Sequence, residues 1–107
     1  MPDPTVSTTD AAGLEAAIRA GAQLVDVRER AEYVAGHVPG ARLIPMGQLP
    51  SRLGELDRGR PVLLVCATGN RSGAMAGVVA AAGFDAVNVA GGTEAWVASG
   101  RAVERGL

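Results

Sequence analysis

The chain has 107 residues, with 10 basic and 11 acidic side chains and a formal net charge of −1. That length fits one compact domain, residues 1–107, which can bury roughly two thirds of its unfolded surface. The balanced charge and the scarcity of aromatic residues (Tyr33, Phe84 and Trp96) exclude a nucleic-acid or polybasic membrane surface, and a lone cysteine excludes an internal disulfide.

A metal site is not expected, because the soft ligands are Cys66 and His37, far apart in sequence. Met1-Pro2-Asp3-Pro4 has neither the basic head nor the apolar block of a signal peptide, and no apolar run is of membrane-spanning length. A soluble cytoplasmic protein is the expectation, monomeric by default. Lysine is absent, and the apolar content is mainly Ala, Val and Leu, so the core should be built from small and branched side chains.

In chain order, Thr5-Val6-Ser7 reads as a short edge strand. Thr9 or Asp10 can cap a helix running to about Ala20, with Leu14, Ala17 and Ile18 on one face and Gly21 as its stop. Gln23–Val27 is a short apolar strand. Glu29–Ala35 reads as a short helix ended by Gly36, and His37-Val38-Pro39-Gly40 is a turn. Arg42–Ile44 is a second strand, stopped at Pro45. Leu49–Leu56 has helical spacing. Pro61–Val65 is the third clear strand, followed by a helix over Ser72–Ala82 that ends at Gly83. Ala86–Val89 is another strand. Gly91-Gly92 turns the chain, and Thr93 can cap a last helix through Ala98. The first few residues and the tail after Gly100 are expected to be loose.

Strands and helices alternate throughout, and the strands are continuous apolar runs rather than alternating ones. That pattern predicts an α/β fold: a small parallel sheet of about five strands with helices on both faces.

Ligands bind such sheets outside the carboxyl ends of the strands. Cys66 lies at such an end, and Thr68, Gly69 and Asn70 form a turn that can aim several N–H groups inward. The next helix adds its positive dipole end at Gly73 and Ala74. Arg71 can contact a bound anion or pin the loop through an acidic partner. These features, Arg71 included, favour a Cys66 thiolate and so lower its pKa. The bland alternative, a cysteine used as a small buried hydrophobe, accounts for the strand end but not for the glycine-containing loop and arginine beside it.

The combination resembles the rhodanese family of single-domain sulfurtransferases. Four segments carry the resemblance: Leu24-Val25-Asp26-Val27-Arg28; Glu32-Tyr33 followed by Gly36-His37-Val38-Pro39-Gly40-Ala41; Cys66-Ala67-Thr68-Gly69-Asn70-Arg71-Ser72; and Gly91-Gly92-Thr93-Glu94-Ala95-Trp96. The resemblance implies a parallel sheet of about five strands and a catalytic Cys66 within a loop, Ala67 to Ser72, that binds the substrate anion. It implies covalent sulfur transfer without cofactor or metal. A sulfane donor, thiosulfate or a persulfide, gives its outer sulfur to Cys66, and a thiol, cyanide or a protein acceptor removes it.

The chemical rival is a cysteine phosphatase or arsenate reductase, and the other alternative is a non-catalytic sulfur carrier or binding module. Phosphatases carry Cys-x5-Arg around a tetrahedral phosphate, whereas Arg71 follows Cys66 as Cys-x4-Arg, which suits a single sulfur atom. Non-catalytic members of the family usually lack the cysteine. Ala67 stands where several thiosulfate-using rhodaneses have a basic residue, which leaves the donor open. Asp26 and Arg28 are expected to hold the loops together through an ion-pair or hydrogen-bond network rather than to take part directly in catalysis. His37 and Glu32 are expected to be structural, Trp96 to pack in the core, and Gly91-Gly92 to supply turn geometry near the site.

Overall fold

The computed structural model describes residues 6–107. Five strands form one all-parallel sheet: β1 (Ser7–Thr9), β2 (Gln23–Asp26), β3 (Arg42–Leu43), β4 (Val62–Val65) and β5 (Ala86–Val89), in the order β1-β5-β4-β2-β3. Four α-helices accompany them: α1 (Ala11–Arg19), α2 (Arg30–Ala35), α3 (Asn70–Ala81) and α4 (Gly92–Ala98). The expected sheet with helices on both faces is what the chain forms.

The sheet is parallel because its central strands are apolar on both faces. All four residues of β4 are buried. Val62 and Leu64 point to a core shared with Met75, Ala76 and Val79 of α3, while Leu63 and Val65 point to one shared with Leu14 of α1, Tyr33 of α2 and Trp96 of α4. Each such aliphatic side chain contributes on the order of 1.5–3 kcal/mol by leaving water. Cys66 continues the Val62–Leu64 row, so its side chain falls on the α3 face.

Connectivity fixes where a ligand can sit. From β2 the chain moves outward to β3, then crosses back over β2 to β4 and moves outward the other way to β5. The two directions diverge between β2 and β4, where Asp26 pairs with Val65 at the carboxyl ends. A crevice opens at such a switch point, and Cys66 is the next residue on β4.

Several boundaries differ from the sequence reading, each for a local reason. Asp10 caps α1, its Oδ1 accepting the Gly13 N–H at 2.9 Å. Of the expected first strand, Thr5 lies outside the described residues, and the strand is Ser7–Thr9. Leu49–Glu55 is a 3-10 helix rather than an α-helix: it is short, carries Pro50 in its first turn and closes with a Leu56 N–H to Leu53 carbonyl bond. α4 is capped by Gly91, not Thr93, because Gly91 at φ 80° turns the chain into the helix two residues earlier.

The tail after Gly100 is not loose. His37 and Glu104 exchange backbone hydrogen bonds at 2.8 and 2.9 Å, and Gly106 N–H reaches the Val34 carbonyl at 2.9 Å. Val103 packs on the second core, and the buried Trp96 indole donates to the Ala102 carbonyl at 2.8 Å. The apolar pair Ala102-Val103, flanked by Arg101 and Glu104, is too short a pattern to show this docking in sequence.

Candidate active site

Gly69 organises the loop after β4. It takes φ 109°, a conformation that favours glycine, and starts α3 at Asn70. The sequence reading began this helix at Ser72 and placed its positive end at Gly73 and Ala74. The first-turn N–H groups instead belong to Asn70, Arg71 and Ser72, and the Gly73 N–H already bonds the Gly69 carbonyl at 3.0 Å.

A helix start leaves N–H groups without intrahelical partners, and a side chain at the cap usually accepts from one of them. Gly69 has no side chain to offer. The Cys66 sulfur fills that role for the Ser72 N–H, and Sγ also lies 3.1 Å from the Gly69 nitrogen and 3.3 Å from the Ser72 hydroxyl oxygen. Cys66 is only 1% exposed. Burial pushes its thiol up, but the Ser72 hydroxyl and the backbone N–H groups of Ser72, Gly69 and Thr68 outweigh it, so the net pKa falls below the ordinary thiol value.

A second clamp closes the loop from α4. The Thr93 N–H bonds the Cys66 carbonyl at 2.9 Å and the Glu94 N–H bonds the Ala67 carbonyl at 3.0 Å. This approach is possible only because residue 92 is glycine. A Cβ on Gly92 would lie 2.5 Å from both carbonyl oxygens, and its φ is 58°. Gly91-Gly92 thus supplies the expected geometry beside the site.

Arg71 pins the loop. Its two terminal nitrogens each lie 2.8 Å from one oxygen of Glu32, a bidentate pair that joins the start of α3 to α2. The Arg71 side-chain hydrogen bond holds the Glu32 carboxyl down to about 2, against the opposing effect of burial. Glu32 also accepts the Glu29 N–H at 3.0 Å, completing the cap of α2. Sequence reading left two options for Arg71, and the acidic-partner option is the one found. The sulfur's hydrogen-bond donors come from backbone and Ser72, not from the guanidinium.

Asp26 and Arg28 form a buried ion pair. Arg28 Nε lies 3.0 Å from Asp26 Oδ1, its Nη2 lies 2.9 Å from Oδ2, and the same Nη2 reaches the Gly36 carbonyl at 2.8 Å. The pair ties the end of β2 to the end of α2. His37 stacks on Tyr33 with ring centroids 3.6 Å apart, and its Nδ1 lies 2.8 Å from the Tyr33 carbonyl oxygen. A carbonyl only accepts, so Nδ1 carries a proton there. Trp96 packs in the second core.

Thr68 and Asn70 are exposed at the rim of the loop, while Ala67 is half-buried. A shallow hollow of about 360 Å³ borders the loop through Ala67, lined also by Val97, Ala98 and Glu94. A wider one, about 420 Å³, opens at the other end of the strands between α1 and the sheet, around Ala17, Leu63 and Val87. Backbone donors converge on the Cys66 sulfur at the carboxyl ends of the strands, the end where parallel sheets bind ligands. Among the described residues, no three His, Cys, Asp or Glu side chains come together as a metal site would require.

One member of the site was missed in sequence. Asn88 reaches from β5 to both Ser72 and the Gly69 carbonyl, at 2.7 and 3.2 Å. The available signal was a lone polar residue in an otherwise apolar strand.

The comparisons with known proteins agree with this geometry. The family described as Rhodanese-like domain matches residues 10–99. The chain belongs to the rhodanese family. Two Bacillus subtilis proteins are relatives of this rhodanese-like domain. YqhL is 42% identical over 86 residues, covering 77% of this chain and 68% of its own. YtwF, a protein inferred to be a sulfurtransferase, is 38% identical over 73 residues, covering 68% of this chain and 71% of its own. The crystal structure of a rhodanese-like domain protein from Staphylococcus aureus superposes with a TM-score of 0.83 at 34% identity, over 94% of this chain and 99% of the other.

Proposed function

We propose that this rhodanese-like domain is a sulfurtransferase that carries one sulfane sulfur as a persulfide on Cys66. The observation that carries the reading is the set of donors converging on Sγ: the Gly69 and Ser72 contacts at 3.1 and 3.3 Å, with a pKa held below that of an ordinary thiol. Membership of a family that includes a relative inferred to be a sulfurtransferase supports it.

The Cys66 thiolate attacks the outer sulfur of a donor R–S–S–H. The donor's S–S bond breaks, R–S⁻ leaves with the electron pair, and Cys66–S–S–H forms and ionises. Loop amides stabilise the anion between the two steps. An acceptor thiolate or cyanide then attacks the outer sulfur and releases the Cys66 thiolate, so kinetics are ping-pong. Cys66 catalyses, Ala67 to Ser72 cradle the transferred sulfur, and Asp26 with Arg28 supports the loop. The donor and acceptor are small molecules, or a protein thiol as acceptor.

The charges near the loop favour a hydropersulfide over thiosulfate as donor. Ala67 has no charge, Arg71 is balanced by Glu32, and Arg28 is balanced by Asp26. A dianionic donor would meet no uncompensated cation among these groups.

Intact-mass measurement after incubation with glutathione persulfide, and separately with thiosulfate, tests the reading. A gain of one sulfur atom on the wild type and none on Cys66→Ser is expected, faster with the persulfide. No gain with either donor overturns sulfur transfer, and hydrolysis of an aryl phosphate by the same protein would replace it with phosphatase chemistry.

A further inference from the structure

Ser72 presents one hydroxyl proton to two acceptors. Its Oγ lies 2.7 Å from Asn88 Oδ1 and 3.3 Å from Cys66 Sγ. The amide orientation of Asn88 follows from its other contact. The Gly69 carbonyl, 3.2 Å away, can only accept, so the NH2 group of Asn88 must face it. Oδ1 then faces Ser72 and has nothing to donate. The hydroxyl proton can serve Asn88 or the sulfur, not both. Ser72 is fully buried, leaving no room for solvent to make up the difference.

From this geometry we infer that Asn88 is a positioning residue for Cys66, competing with the sulfur for the Ser72 proton while tethering the Gly69 carbonyl. Asn88 lies on β5 next to Leu64 of β4 and shares the α3 face with Ala86. A polar side chain there costs stability unless it is hydrogen-bonded. The contact with Ser72, at an ordinary O–H···O separation, is the shorter of the two.

The competition has a chemical consequence. A hydroxyl given wholly to the thiolate would lower the sulfur's basicity and, with it, its nucleophilicity. By sharing the hydroxyl, Asn88 weakens the Ser72 donation without abolishing it, so the sulfur anion is stabilised mainly by backbone amides and stays reactive. When Cys66 bears a persulfide, charge moves to the outer sulfur and the Ser72 hydroxyl donates to Asn88 Oδ1. The inference deepens the sulfur-carrier reading, but its test needs no sulfur donor, so either can fail without the other.

The pH dependence of Cys66 alkylation by iodoacetamide, on the intact chain, measures the competition. Asn88→Ala should lower the inflection by about half a unit, since the freed hydroxyl turns to the sulfur. Ser72→Ala should raise it. Adding Asn88→Ala to Ser72→Ala should change nothing further. Asn88→Val, which has no acceptor and suits a strand, gives the same readout if the alanine variant does not fold. A tether-only role predicts the opposite sign, because loosening Gly69 withdraws an N–H from the sulfur. An inflection that rises or stays put in the single variant overturns the inference, as does an effect that persists without Ser72.

Discussion

Arg71 and Glu32 meet through two parallel contacts of 2.8 Å, so the arginine beside the Cys66 loop is occupied by a carboxylate from another helix. The pair joins the start of α3 to α2. Arg71→Ala and Glu32→Ala should therefore slow Cys66 persulfide formation by similar factors, about fivefold each. The double variant should be little worse than either single one, as expected for residues that act as a unit. Stopped-flow rates with glutathione persulfide decide this. A much larger loss for Arg71→Ala alone would mean that the guanidinium touches the donor.

The same pair links stability to pH. The Glu32 carboxyl is lowered from its ordinary 4.5 to about 2 in the folded protein. Its contribution is therefore fully present above about pH 4.5 and is lost as pH falls through about 2. Thermal melts between these limits should show a decline that Glu32→Gln flattens. An unchanged slope in that variant would show that other carboxylates govern acid unfolding.

Two glycines in the left-handed region should respond very differently to alanine. At Gly92 a methyl group would lie 2.5 Å from the Cys66 and Ala67 carbonyl oxygens, whereas at Gly100 it would meet nothing within 4 Å. Gly100→Ala should cost only backbone strain, about 1–2 kcal/mol. Gly92→Ala should cost more than that and displace the Cys66 loop, because the obstructing atoms are backbone. Urea denaturation of both variants, with Cys66 alkylation rates, compares them. Equal losses would argue against the α4 clamp.

Deletion of residues 101–107 should destabilise the protein by roughly 2–4 kcal/mol, from lost hydrogen bonds and apolar cover. It removes the His37–Glu104 bridge, the partner of the Trp96 indole and the packing of Val103. Chemical denaturation of the shortened chain measures it. A change under about 0.5 kcal/mol would restore the expectation of a loose tail.

Much of the fold was legible because its signals are local. Val62–Val65 is apolar without alternation, which marks a strand covered on both faces, and Asp10 or Gly21 punctuate helices through their own side chains or flexibility. Cys66, Gly69 and Ser72 lie within one short stretch of sequence, so their convergence could be read from adjacency and from the likeness to rhodaneses. Boundaries were less legible. Gly69 starts α3 two residues before the expected position because its backbone turns into the helix at once, and several sequences could do that equally well.

Residue order alone thus specifies the alternation of strands and helices, the parallel sheet and the place of Cys66 at a strand end, since each depends on neighbours a few positions apart. Folding in three dimensions chooses the partners. Glu32 stands 39 positions from Arg71, and Asn88 stands 16 from Ser72. A hydroxyl proton serves one acceptor at a time, and which acceptors it and the Arg71 guanidinium meet depends on distances that exist only after the sheet and helices pack. Those choices turn a cysteine at a strand end into a shielded sulfur with a defined set of donors.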